Sequence, residues 1–263
     1  MYDYLLGGKD NFAADREAVE RLAAAVPYAA DVARENRRFL QRATRFAAAQ
    51  GIAQFIDIGT GLPTVGNVHE IARRVRPGAR VVYVDIDPVV LAHARAMLVT
   101  DEGTHAIQAD IRDPAAILGN RTVLSSLDFS RPICLLMVAV VHFLRDEDDP
   151  AGLIRTYVDA LPPGSYLVLS HLATDGPNVA HMMAAIEAYA TSSTPLTFRS
   201  SDAIRGFFHG LHLIEPGLVR AWEWRPVPGE NFRTGWIYAG VGRKPDGDAH
   251  GRGAAGAGIR RPG

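Results

Sequence analysis

The chain has 263 residues, 48% hydrophobic and 22% charged, which excludes wholesale disorder, collagen and coiled coil. Its 28 basic and 29 acidic residues leave a formal charge of -1, so bulk electrostatics give a nucleic-acid partner no support. The longest apolar runs fall short of a membrane helix, no secretory signal opens the chain, and the single cysteine, Cys134, lies in an apolar run; these point to a reducing, cytoplasmic setting.

In chain order, residues 31–50 carry Val32, Phe39, Leu40, Ala43, Phe46 and Ala47 at helical spacing, with Gly51 as the stop. FIDIG (55–59) predicts a short strand, 65–76 a helix ending at Pro77-Gly78, and RVVYVD (80–85) a second strand. Pro88 suits a first helical turn, and Val90, Leu91, Ala94 and Leu98 form one stripe over 88–98. HAIQAD (105–110) is strand-like, and PICLLMVAV (132–140), apolar at nearly every position, reads as a central strand covered on both faces. A helix over 148–161 closes at Pro162-Pro163-Gly164, and SYLVLSHL (165–172) is another buried strand. Beyond it the pattern gives helices over 178–190 and 201–208 and strands over 211–219 and 236–243. Residues 244–263 are dominated by Gly, Ala and Arg, cannot bury enough to offset their ordering entropy, and read as a flexible tail.

Strands alternating with helices predict an α/β fold with right-handed crossovers. The two late strands lack a helix between them, which predicts an antiparallel edge pair. The expected architecture is Rossmann-like: a mostly parallel seven-stranded sheet with helices on both faces, as in class I methyltransferases.

In such a sheet ligands bind beyond the carboxyl ends of the strands. Asp57-Ile58-Gly59-Thr60-Gly61 ends the first strand, and its glycines allow a tight turn and a close approach to the backbone. Asp85-Ile86-Asp87 ends the second, where an acid is placed to accept from ribose hydroxyls; Asp87 before Pro88 also reads as a helix cap. Asp110-Ile111 ends the third, an acid suited to an adenine amino group. A dinucleotide fingerprint would place glycine where Thr64 stands, and a pyrophosphate would meet the like charge of Asp57. The ammonium and sulfonium of S-adenosylmethionine would meet opposite charge there. The constellation therefore favours S-adenosyl-L-methionine over a nicotinamide cofactor.

The segments YDYLLGGKDNF (2–12), FIDIGTGLPTVGNVHE (55–70), VVYVDIDPVVLAHARAML (81–98), IQADIRDP (107–114) and LVLSHLATD (167–175) resemble the S-adenosylmethionine-dependent methyltransferase family that is widespread in actinobacteria and was long catalogued as a domain of unknown function. The resemblance spans about residues 1–243 and implies the fold and the cofactor, with S-adenosyl-L-homocysteine as product. It also implies that the opening motif folds over the cofactor, with Lys9, Asp10 or Asn11 supplying polar contacts; the alternative is a mobile terminus with its aromatics pinned to the surface. A phosphate-loop reading of Gly7-Gly8-Lys9 fails, because no strand precedes it and Asp10 stands where Ser or Thr is required. Ala139, at the end of the fourth strand, completes the expected cofactor contacts. The resulting organisation is a cofactor-covering segment with helices over 1–50, the methyltransferase domain over 51–243 with acceptor-pocket elements at about 176–233, and the tail.

Methyl transfer is an in-line displacement, so alignment in a dry pocket carries most of the catalysis, and a base is needed only for a protonated acceptor. His142, His171 and Asp175, at or after the ends of the fourth and fifth strands, are the candidate bases, each histidine with a structural alternative as a hydrogen-bonded residue. His209 and His212 lack a third ligand nearby in sequence, so no metal is expected. Trp222 and Trp224 have strand spacing and either wall an acceptor pocket or cover a sheet edge. The leading expectation is a methyltransferase acting on a small-molecule acceptor; the alternative is a non-catalytic binder of the cofactor or its product.

Overall fold

Eight strands form a single sheet in the computed structural model, which describes residues 2–8, 13–63, 66–99, 101–176, 178–190, 195–230 and 233–246. Helices α1 (Tyr2–Leu5), α2 (Ala13–Ala25) and α3 (Ala29–Ala49) lead into β1 (Gln54–Ile58). Then follow α4 (Val68–Val75), β2 (Arg80–Asp85), α5 (Pro88–Met97), β3 (Thr104–Gln108), α6 (Pro114–Leu118), α7 (Arg121–Ser126) and β4 (Cys134–Val138). The chain continues through α8 (Pro150–Ala160), β5 (Tyr166–Leu172), α9 (Val179–Ala190) and α10 (Ser201–Gly206) to β6 (His212–Leu213), β7 (Val219–Arg220) and β8 (Ile237–Arg243). No described helix is long and apolar enough to cross a membrane.

The strand order is β3-β2-β1-β4-β5-β8-β6, with β7 also on β8. β1 to β5 run parallel; β8 runs antiparallel to β5, from Tyr166 opposite Arg243 to Leu172 opposite Ile237. The order reverses between β1 and β4, which opens a crevice above their carboxyl ends. The expected strand over 211–219 is two short ones. Pro216 has no N–H for a ladder and Gly217, at φ 91°, turns the chain, so β6 and β7 each pair separately with β8. The sheet therefore has eight strands instead of seven, and β8 with the short β6 and β7 forms the expected antiparallel pairing at one sheet edge.

Side-chain alternation divides the core between the two faces. Phe55, Val81, Tyr83, Leu136 and Val168 pack under α3 and α4, whereas Ile56, Val82, Leu135, Met137 and Leu169 pack under α8 and α10. Each such apolar side chain contributes about 1.5–3 kcal/mol by burial. The same alternation puts Asp57 on the Phe55 side, beneath α3.

Trp222 and Trp224 do not lie on a strand, because residues 221–223 close a short 3-10 turn. Trp224 is fully buried, edge-on to Phe39 and Phe46 at 5.5 and 5.7 Å. Buried Arg42 of α3 fixes this turn, donating to the Trp224 and Ala221 carbonyls at 2.8 and 2.6 Å and pairing with Glu230. Helix α2, alanine-rich and weakly amphipathic, gives little periodic signal, so the expectation of helices over 1–50 carries no bounds for it.

Candidate functional site

The carboxyl ends of the strands open into a cavity of about 700 Å³. Its floor begins at the turn after β1. Gly59 and Gly61 sit at φ 75° and 64°, where L side chains are strained. At Gly59 a Cβ would also lie 2.4 Å from Val140 Cγ2, so only glycine fits. Thr60 stabilises the turn by donating its hydroxyl to the Asp57 carbonyl at 3.0 Å.

Asp85 joins two loops. Its Oδ2 accepts from the Gly61 amide at 2.9 Å, and its Oδ1 accepts from the Asp87 amide at 3.0 Å. Asp87 caps α5, accepting from the Val89 amide at 2.8 Å, and still belongs to the cavity wall. Asp110 is gripped by Arg112, whose guanidinium holds its carboxyl below the ordinary carboxylate range. The Ile111 carbonyl accepts from the Tyr157 hydroxyl at 2.8 Å.

Asp57 is 4% exposed, and burial pushes its carboxyl up to about 7, with Arg37 opposing the shift and Asp85 adding to it. Burial also raises Asp85. Two acids kept in a desolvated wall carry a standing electrostatic cost that a cation would relieve.

A hydrogen-bond chain ties the N-terminus to this wall. Ala139, strained at φ 56°, donates its amide to Ser170 Oγ at 2.9 Å; Ser170 donates to Asn36 Oδ1 at 2.6 Å; Asn36 Nδ2 donates to the Tyr2 hydroxyl at 2.9 Å. Tyr2 in turn donates to the Ala33 carbonyl at 3.0 Å. Helix α1 is thereby held at the cavity mouth.

Asp57, Gly59, Thr60, Gly61, Asp85, Asp87, Asp110, Ile111, Ala139 and His142 all line this one cavity. His171 does not. It is fully buried, with Nδ1–H donating to the Leu172 carbonyl at 2.7 Å and Nε2 facing Arg199 Nη1 at 2.9 Å. Burial holds it down at about 3, so it stays neutral, and both nitrogens are used, Nδ1 on the Leu172 carbonyl and Nε2 on Arg199, itself paired with Asp146 at 2.7 Å. It is thus a support for the 195–200 segment, not a base facing the cavity. His142 differs: its Nδ1 is buried without a partner, and burial, then His171 and Arg199, keep it well below the ordinary histidine value. Lys9, Asp10, Asn11 and Thr64 lie outside the described residues.

Sequence reasoning missed Asn36, Arg37 and Trp236, which also line the cavity. The signal for the first two was present: positions 33, 36, 37 and 40 form the inward stripe of α3, and two of the four are polar. From the expected acceptor elements at about 176–233, Ala185, Tyr189, Pro195 and Leu196 reach the cavity, and Trp222 and Trp224 do not. The β5–β8 end is walled by Leu22 of α2, Val26 just after it, Ala185 of α9, Leu196, Trp236 and Ile237.

A model of a family described as S-adenosyl methyltransferase matches residues 1–245. Two solved structures are similar over nearly the whole chain. One, from Thermobifida fusca YX, is 42% identical with a TM-score of 0.86, covering 93% of each chain. The other, a DUF574 family protein from Streptomyces avermitilis, is 39% identical with a TM-score of 0.88, covering 93% of this chain and 95% of that one. Human N-acetylserotonin methyltransferase in complex with S-adenosylmethionine shares the fold at 14% identity and a TM-score of 0.52, over 93% of this chain and 62% of that one. No curated protein matches the chain.

Proposed function

This chain belongs to the S-adenosyl methyltransferase family, and we propose that it methylates a small, uncharged, largely apolar acceptor held at the β5–β8 end of the cavity. It is an S-adenosylmethionine-dependent enzyme, and that cofactor supplies an activated, cationic methyl group when bound. The residues present fit it: a glycine turn that a single Cβ would fill, followed by acids at three successive strand ends. Asp57 is suited to the α-ammonium, Asp85 with Asp87 to ribose hydroxyls, and Asp110 with Ile111 to the adenine edge.

The observation that carries the acceptor reading is the division of charge along the cavity. Its charged lining residues come from α3, from the ends of β1 to β3, and from the 145–148 loop, whose Asp148 acts on Arg112. The lining residues from in or beside α2, α9, β5, β8 and 195–196 are uncharged. An ion placed there would lose hydration without a counter-charge, at a cost of several kcal/mol. Two polar groups of cavity-lining residues are unspent: the Trp236 indole N–H and His142 Nδ1, both buried without a partner. An indole N–H only donates, so it suits an acceptor molecule bearing a carbonyl or ether oxygen. Neutral His142 suits proton removal from a hydroxyl or amine as it is methylated.

The test is label transfer from methyl-labelled cofactor to a panel of compounds of matched size, neutral and charged, beside protein and RNA. Turnover confined to neutral small molecules supports the reading. Turnover confined to charged compounds or macromolecules overturns it.

A further inference from the structure

Arg37 is the cavity residue whose surroundings leave the most unexplained. It lies on α3, one residue past Asn36, and its guanidinium spans to the start of α4: Nη2 donates to the Gly66 carbonyl at 3.1 Å and to Asn67 Oδ1 at 3.2 Å. Both acceptors are neutral, and no carboxylate among the described residues lies within ion-pair distance of it. Its Nε is buried and has no partner. An unsatisfied buried donor on a charged group is costly, and more so than on a neutral one. Its charge reaches Asp57, whose carboxyl it draws downward against the effect of burial. The other cations of the wall are placed elsewhere: Arg112 is committed to Asp110 at the β3 end, and Arg145 lies in the loop after β4.

The wall beside β1 therefore offers an anion and a cation together, Asp57 and Arg37, with Nε and Nη1 of the guanidinium making no hydrogen bond among the described residues. Their complement is a ligand with an ammonium and a carboxylate on one carbon. We infer that Arg37 binds the α-carboxylate of the methyl donor, so that Arg37 and Asp57 form a cradle for its zwitterionic amino-acid tail. The fork of a guanidinium matches a carboxylate's two oxygens, which lysine's single nitrogen does not. Gly66 and Asn67 are positioning residues in this arrangement, because they hold the side chain in place before the ligand arrives and so reduce the ordering cost of binding. The cradle selects nucleosides that keep the whole amino-acid tail over those that have lost it.

The assignment rests on the cofactor, and calorimetry separates the two. S-adenosylhomocysteine, its decarboxylated analogue and 5′-methylthioadenosine are titrated into wild-type protein and into Arg37→Met and Arg37→Lys. Wild type is expected to bind S-adenosylhomocysteine at least about tenfold tighter than the decarboxylated analogue, the scale of a lost charge-assisted hydrogen bond. Arg37→Met is expected to erase that preference while leaving methylthioadenosine affinity unchanged, and Arg37→Lys to restore part of it. Equal affinities of wild type for S-adenosylhomocysteine and its decarboxylated analogue would overturn the assignment even if the variants fail to fold. Equal weakening of all three ligands in Arg37→Met would overturn it as well, showing a structural role. Failure of wild type to bind any of the three would overturn the cofactor itself.

Discussion

The Asp85 carboxylate and the Gly61 amide are hydrogen-bonded at 2.9 Å, so the acid that ends β2 holds the glycine turn that ends β1. The ends of two adjacent strands are thus fixed to each other. Asp85→Ala removes the partner of the Gly61 amide and of the Asp87 amide together. It is expected to weaken S-adenosylhomocysteine binding by roughly 1–3 kcal/mol and also to lower the melting temperature of the ligand-free protein. Loss of affinity with an unchanged melting temperature would show that the carboxylate serves the ligand alone.

Gly59 and Gly61 both adopt left-handed backbone, but their surroundings differ. A Cβ at Gly61 meets open space, whereas one at Gly59 strikes Val140. Gly61→Ala is expected to cost about 1–2 kcal/mol of backbone strain and to retain cofactor binding. Gly59→Ala is expected to cost more and to lose binding. Thermal melts and calorimetry on the pair check this, and equal effects would show that Val140 yields.

Asp57 couples protonation to folding and to binding. Its carboxyl is held at about 7 in the folded protein, against about 4 when unfolded. The folded state therefore keeps a proton that the unfolded chain releases. The resulting stabilisation is complete below about pH 4 and is lost as pH rises through about 7. Binding of an α-ammonium needs the ionised form, so it runs the other way: S-adenosylhomocysteine affinity is expected to rise as pH increases through about 7, with proton release on binding. Asp57→Asn is expected to flatten both profiles and to bind the ligand more weakly above that pH. A binding profile flat from pH 5.5 to 8.5 in the unaltered protein would exclude Asp57 as the ammonium partner, these limits being about 1.5 units either side of its value.

His142 and His171 are expected to separate by phenotype. His171→Leu removes the acceptor facing buried Arg199 and is expected to destabilise the fold by about 1–3 kcal/mol. His142→Gln leaves no established side-chain hydrogen bond unmade at Nδ1. It is expected to keep cofactor affinity and melting temperature while slowing transfer to a protonated acceptor by about a hundredfold or more. Unchanged transfer in His142→Gln would remove it as the base.

Much of this protein was legible in its sequence because the signals were local. The run from Phe55 to Gly61 specifies a buried strand and then a turn that only glycine tolerates, and Asp85 and Asp110 follow apolar strands in register with it. Strand alternation and the rule for open α/β sheets carry such residues to one crevice without any knowledge of the rest of the chain. The tertiary structure decided what depends on distant partners. It separated His142 from His171, one with an unspent nitrogen in the cavity wall and the other saturated behind it, although both follow similar apolar runs. It buried Trp224 under α3 and brought Trp236 and Leu22 of α2 to the cavity wall, and it set Arg37 beside Asp57 across 20 positions of chain. Side-chain periodicity reports which face of an element is buried, but what that face meets is fixed only when the elements pack, and the chemistry of a charged or titratable group follows from what it meets.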